Sequence, residues 1–311
     1  MLNPLQNAIL VERFYRIIGF TFRIQAFDAE LVPILDGLYP GYQIDEEVDT
    51  PVTYALIASN GGGNKRFSLI QNGRIRYSEL PSIDALYAFL EWAVTKRALR
   101  HQQDFIQMHA GAVCKDGEAV LFPADSGAGK TTLVISCVLA GFDCLSDDVI
   151  LVDSHSLETH PFPRLLHVRE DTLHLFPHLK SQALFVLDRA GEVCYYMNRE
   201  AIREGCSADI STPRAVVIPR YQPNSQTVLE AIGQTEAVSA LMAQCINFAR
   251  HGENGIHFLA ELTKRVETYR LRYSNAIEAA ELLAGKLPMG EGAKTGKRDK
   301  YISPTTYHGF C

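Results

Sequence analysis

The chain of 311 residues is 47% hydrophobic and 21% charged, with a formal net charge of −6, a composition close to that of soluble globular proteins. A net-negative chain raises no overall positive field, which argues against nucleic acid as a partner. Its seven cysteines are odd in number and include no CxxC pair, so neither a disulfide framework nor a zinc site is predicted.

Glu12, Arg13 and Arg16 fall where a signal peptide needs its apolar centre, and no run reaches the roughly 18 apolar residues of a spanning helix. The expectation is a cytoplasmic protein without a membrane partner. Its length suits two domains of ordinary size.

Residues 1–103 read as a mixed α+β N-terminal domain. Ala8–Ile18 is predicted as a short helix leading into the alternating strand FTFRIQAF, and a second helix is predicted near Glu30–Leu38. TYALIAS (Thr53–Ser59) reads as a strand. RFSLIQ and RIRYSE flank Asn72-Gly73, a dipeptide that signals a hairpin turn. The following helix, about Ser82–Leu99, carries Leu86, Phe89, Leu90 and Ala93 at the spacing of one buried face.

A second pattern, 104–285, opens with the apolar strands FIQMHAGAVCK and EAVLFPA around the Lys115-Asp116-Gly117 turn. A glycine-rich loop, a helix ending at Gly141, and the strands FDCLSDD and VILVD follow, which is the α/β order in which a phosphate-binding loop works. Beyond residue 183 come the strands ALFVLDR, EVCYYMN and RAVVIPRY. A long amphipathic helix follows, with Val238, Leu241, Met242, Cys245, Ile246 and Ala249 on its apolar face. A helix over Ile256–Val266, an alternating strand with Tyr269, Leu271 and Tyr273, and a closing helix ending at Gly285 complete the pattern. Residues 286–311 lack periodicity and are expected to be a flexible tail.

The loop itself reads ADSGAGKTTL, Ala124–Leu133. In the general pattern GxxxxGK[ST], glycines let successive N–H groups turn inward on a polyphosphate, the lysine reaches the β and γ phosphates, and the hydroxyl holds Mg²⁺. Ala124 stands where the first glycine would, and Asp125, Ser126, Gly127, Ala128, Gly129, Lys130, Thr131 and Thr132 are the candidate nucleotide-binding residues. A strand before the loop and a helix after it, whose N-terminus favours an anion, support that reading over a chance glycine turn.

Sixteen residues beyond Thr131 stand Asp147 and Asp148, in LSDDVILVD. A P-loop enzyme needs an acid at the end of a neighbouring strand to hold the metal, and a second acid beside it can accept a proton from an attacking hydroxyl. Without the P-loop the pair would be an ordinary acidic turn.

Taken together, MHAGAV (Met108–Val113), ADSGAGKT, LSDD and PFPR (Pro161–Arg164) resemble the HPr kinase family and its smaller relatives found beside bacterial peptide-biosynthesis genes. The resemblance covers about residues 105–180 and implies an α/β P-loop kinase core of HPr kinase type. It implies transfer of the γ-phosphoryl group of ATP to a serine hydroxyl, with Lys130 on the phosphates, Thr131 and Asp147 on Mg²⁺, and Asp148 as base. His109 matches the family's active-site histidine, although Ala110 follows it where the family has glycine; its other reading is a satisfied core residue.

The family's later glycine-containing signature, which supplies a further metal carboxylate and a basic residue, has no clear counterpart. HVREDT (His167–Thr172) is the nearest stretch, so neither the reverse dephosphorylation nor recognition of HPr is implied. Arg164 and Arg169 are candidates for neutralising transition-state charge. The implied partner is a peptide or small protein bearing an acceptor serine, most specifically the C-terminal serine of a lasso peptide precursor, and the family implies oligomers built through the kinase core. A nucleotide-dependent switch or ATPase and a small-molecule kinase are the alternatives; neither an NKxD-type nor an LSGGQ signature is present.

Overall fold

In the computed structural model, residues 8–33, 35–45, 48, 52–61, 64–189 and 192–287 are described. The tail expected at 286–311 lies outside them from residue 288 onward. The first strand overturns an expectation: Ala8–Ile18, predicted as helix, is strand β1 (Val11–Ile17), paired antiparallel with β2 (Phe20–Ala26). Ile18 and Gly19, both at positive φ (47° and 79°), close the hairpin. Tyr15 and Ile17 are buried while Arg16 between them is not, so this stretch follows the period of a pleat, and pairing with β2 overrides any helical tendency.

The helix expected near Glu30–Leu38 shrinks to a 3₁₀ turn (Ala29–Leu31) and the four-residue α1 (Leu35–Leu38), with Pro33, which has no amide hydrogen to donate, between them. β3 (Gln43–Ile44), β4 (Thr53–Gly61), β5 (Asn64–Gln71) and β6 (Arg74–Leu80) complete a sheet ordered β3-β1-β2-β4-β5-β6. Asn72 and Gly73, both at positive φ, turn β5 into β6 as their sequence predicts. Helix α2 (Ile83–His101) begins at Ser82, whose hydroxyl accepts from the Ala85 N–H. Its buried face is wider than the spacing suggested: Leu86, Leu90 and Ala93 are joined by Tyr87, Glu91 and Val94, while Phe89 is only partly covered.

Next come β7 (Phe105–Lys115), β8 (Glu118–Pro123), α3 (Lys130–Leu139), β9 (Asp143–Ser146), β10 (Val149–Asp153), β11 (Thr159–His160) and β12 (Leu166–Arg169). They are followed by α4 (Glu170–Leu175), β13 (Phe185–Arg189), β14 (Glu192–Met197), β15 (Thr212–Tyr221) and β16 (Val228–Ala231). The chain finishes with α5 (Gln234–Gln244), α6 (Phe248–Arg265), β17 (Glu267–Tyr273) and α7 (Ala276–Lys286). The main sheet runs β11-β10-β7-β8-β15-β17-β16 with β9 alongside β7, and β12-β14-β13 form a smaller antiparallel sheet. Strands β8, β15 and β17 are mutually parallel, the rest of the main sheet antiparallel, so the molecule is a mixed α/β fold.

Alternation along β7 decides which residues meet which helices. Ile106, Met108, Ala110 and Ala112 face a core shared with Leu241 of α5 and Phe258, Leu259 and Leu262 of α6. Val113 faces the opposite core, built with α3 and α7, and the same period carries His109 and Gly111 to the α3 side. A Cβ on Gly111 would come within 2.9 Å of Val134 Cγ2, so this glycine lets α3 lie close on the strand.

The single helix expected across Val238–Ala249 is broken between α5 and α6. Cys245 is extended, Ile246 N–H donates to Gln107 O (2.7 Å), and Asn247 Oδ1 accepts from Gln107 N–H (3.0 Å). Bonds to β7 here replace those the helix would have made. The expected Ile256–Val266 helix is the second half of α6, which kinks at Gly252 (φ 51°, ψ −129°). The N-terminal sheet and the main sheet share a core: Val149 and Leu151 of β10, Phe162 and Leu165 pack with Tyr54, Leu90 and Val94. Among the described residues no helix is long and apolar enough to cross a membrane.

Candidate active site

Strand β8 delivers the chain into the glycine loop, and α3 begins at Lys130. Gly127 and Gly129 sit at φ 82° and 87°, the left-handed region that side chains resist. Gly129 is constrained twice, because a Cβ there would also stand 2.9 Å from the Tyr273 hydroxyl on β17. Asp125, Ser126 and Gly127 form the exposed tip of the loop. The first amide hydrogens of α3 have no partners within the helix and point out of its N-terminus, where they favour an anion.

Lys130 is 6% exposed. Its three ammonium hydrogens go to Ala124 O (2.7 Å), Asp125 O (2.9 Å) and His109 Nε2 (3.0 Å). Burial, opposed by Asp147 and Asp125, pushes its pKa down to about 8. An ammonium has only donors, so His109 Nε2 accepts and Nδ1 carries the ring hydrogen. Nδ1 then donates toward Asp148, whose Oδ1 lies at 3.0 Å and main-chain oxygen at 3.1 Å. Burial, Lys130 and Arg164 lower the His109 pKa, in keeping with a neutral ring.

The two aspartates occupy the break between β9 and β10. Both strands pair with β7, Ser146 opposite Ala112 and Val149 opposite His109, so Asp147 and Asp148 fall opposite Gly111 and Ala110. Ser146 Oγ accepts from the Asp148 and Val149 N–H groups and holds the break. Asp147, 3% exposed, accepts a hydrogen bond from Thr131 Oγ1 at 2.8 Å. Asp148 is half-buried and also forms an ion pair with Arg164 Nη1.

The predicted residues therefore divide. His109, Lys130, Thr131, Asp147 and Asp148 converge on one spot. Asp125 points outward, where Gln244 Nε2 at the end of α5 donates to its Oδ1 at 2.8 Å. The Thr132 hydroxyl shares a hydrogen bond with Thr172 of α4 (2.8 Å). Arg169 belongs to a solvent-facing pair with Glu192, the two side chains 56% and 60% exposed, and is no part of the cluster. Arg164 does belong to it, held between carboxylates.

Two residues of the neighbourhood escaped the sequence reading. Glu91 on α2 is 1% exposed; its Oε1 accepts from Arg164 Nε at 3.0 Å and its Oε2 lies 3.6 Å from His167 Nε2. Burial alone would raise its pKa, but Arg164 and His167 outweigh it and hold the carboxyl at about 2. Arg199, also buried, donates to the carbonyls of Cys144, Leu145 and Phe162, tying β9 to the segment that carries Arg164. A glutamate beside an apolar helical face was the one available hint; Arg199 offered none.

Among the described residues no three His, Cys, Asp or Glu side chains gather as a self-sufficient metal site. The Thr131 hydroxyl and Asp147 carboxylate, already in contact, fit a cation that keeps its waters and takes its other ligands from phosphate oxygens, as Mg²⁺ does. No protein-family model matches the chain, and no curated protein matches it.

Proposed function

We propose that this protein is an ATP-dependent kinase with a P-loop core of HPr kinase type, which moves a γ-phosphoryl group onto a serine hydroxyl of a peptide or small protein. One observation carries this reading: Lys130 and the Asp147–Asp148 pair, 17 residues apart at the nearest, are joined through the His109 ring and Thr131 into one cluster at the N-terminus of α3.

The chemistry follows from those atoms. Incoming phosphates exchange with the partners of Lys130, whose three donors are all engaged in the free protein. Thr131 and Asp147 would hold Mg²⁺, which when bound would neutralise phosphate charge. The serine oxygen forms its bond to the γ-phosphorus as the β,γ-bridging bond breaks, and the serine proton passes to the Asp148 carboxylate. In a loose transition state the proton moves late and orientation of the hydroxyl matters most, and a carboxylate held by Arg164 and His109 can supply that orientation.

Incubation with ATP, Mg²⁺ and serine peptides, among them a lasso precursor ending in serine, should yield a product heavier by one phosphate in the mass spectrum. Phosphate release with every acceptor unmodified would favour an ATPase or switch, and phosphorylation of metabolite alcohols alone would favour a small-molecule kinase. Asp148→Asn should bind nucleotide as the wild type does and lose transfer; near-normal turnover in that variant would remove the base from the scheme.

A further inference from the structure

A carboxylate only 1% exposed on a helix of the N-terminal layer is costly unless something recovers its desolvation. Glu91 sits among the core residues Tyr87, Leu90 and Val94, and its Oε1 also accepts from Thr95 Oγ1 at 3.3 Å. What distinguishes it is its partner. Arg164 presents Nε to Glu91 and Nη1 to Asp148, so one planar guanidinium is shared between a helix of the N-terminal layer and the carboxylate next to the phosphate loop. His167 stands at the far oxygen of Glu91, with its ring 4.3 Å from that of Tyr196. The result is a continuous polar line, Lys130–His109–Asp148–Arg164–Glu91, which joins the two sheets across their shared core.

We infer that Glu91 is a positioning residue: it fixes the guanidinium of Arg164, which in turn fixes the Asp148 carboxylate for the acceptor hydroxyl, so the N-terminal layer is a working part of the active site. This rests on the kinase reading above. A flexible arginine held at one end only could swing toward the incoming phosphates or pair with Asp148 in other geometries. Held at both ends, it leaves the carboxylate a single orientation.

Glu91→Gln and Glu91→Asp test it, with circular dichroism to confirm folding. The first removes the charge; the second keeps it but withdraws the carboxylate by one methylene. Both should bind nucleotide within about twofold of wild type by calorimetry, while kcat falls roughly tenfold to a hundredfold in Glu91→Gln and less in Glu91→Asp. An independent readout needs no turnover: the Arg164 Nε–H resonance in ¹⁵N spectra of the nucleotide-free protein should be protected from solvent exchange in wild type and lose that protection in Glu91→Gln. Wild-type kcat in a folded Glu91→Gln overturns the inference, and so does unchanged Arg164 protection. If Glu91→Gln does not fold, Glu91→Asp decides alone, and wild-type kcat there overturns it. A wild-type protein that transfers no phosphate but shows the Arg164 effect would sink the kinase reading and leave the coupling of the two layers standing.

Discussion

Replacing Gly129 with alanine probes the glycine loop from behind. Two costs meet at this residue. Its φ of 87° belongs to the left-handed region, which for a residue with a Cβ costs about 1–2 kcal/mol. The new methyl would also stand 2.9 Å from the Tyr273 hydroxyl. Tyr273 is 1% exposed and cannot swing aside, so overpacking adds about 1–3 kcal/mol. Tyr273→Phe removes only that hydroxyl, which has no hydrogen-bond partner among the described residues. Alone it should therefore be neutral or stabilising by about 1 kcal/mol. In the double variant the steric part disappears and the backbone part remains, giving a coupling of about 1–3 kcal/mol in a double-mutant cycle. Urea unfolding followed by circular dichroism supplies the four stabilities, and an ATP titration reports whether the loop regains its grip. Strict additivity, within about 0.5 kcal/mol, would refute the reasoning, because it would mean that the glycine answers to its dihedral angle and not to the tyrosine.

Further outcomes follow from the charges. Burial puts Lys130 at about 8, and bound phosphate favours its charged form, so ATP affinity should fall about tenfold between pH 7 and pH 9. Lys130→Arg should bind without that pH dependence, because guanidinium stays charged throughout; an equally flat wild type would refute the assignment. Glu91 is held at about 2 against an ordinary 4.5, so the unfolded chain takes up the proton first as pH falls. The stabilisation, about 3 kcal/mol, is complete above pH 4.5 and disappears progressively toward pH 2. The stability gap between wild type and Glu91→Gln should therefore narrow from pH 5 to pH 3, and a constant gap in denaturant titrations would contradict it. Arg169→Ala should change stability by under about 0.5 kcal/mol, since its pair is solvent-screened. Arg164→Ala, which strands two carboxylates, should cost about 3 kcal/mol or more in the same assay.

What the sequence determined by itself is what the backbone decides locally. Asn72-Gly73 and Asp116-Gly117 demand positive φ and close hairpins where the sequence indicates. The glycines of ADSGAGKTTL, set between an apolar run and a one-sided helical pattern, mark the loop from β8 to α3 for the same reason. Asp147 and Asp148 could be singled out because they follow an apolar strand at a short distance from that loop, but not which of them meets Thr131. Register along β7 settles that contact.

Tertiary structure decided the rest. Val11–Ile17 is a strand because β2 pairs with it, and the 238–249 helix breaks because Asn247 and Ile246 find hydrogen-bond partners on Gln107, well over a hundred residues away in sequence. Glu91 and Arg164 are 73 residues apart, and Tyr273 lies behind a glycine at 129. No local rule relates such pairs. A buried charge becomes tolerable only when folding brings its partner, so the residues that hold this site in place are visible only once the two sheets have packed together.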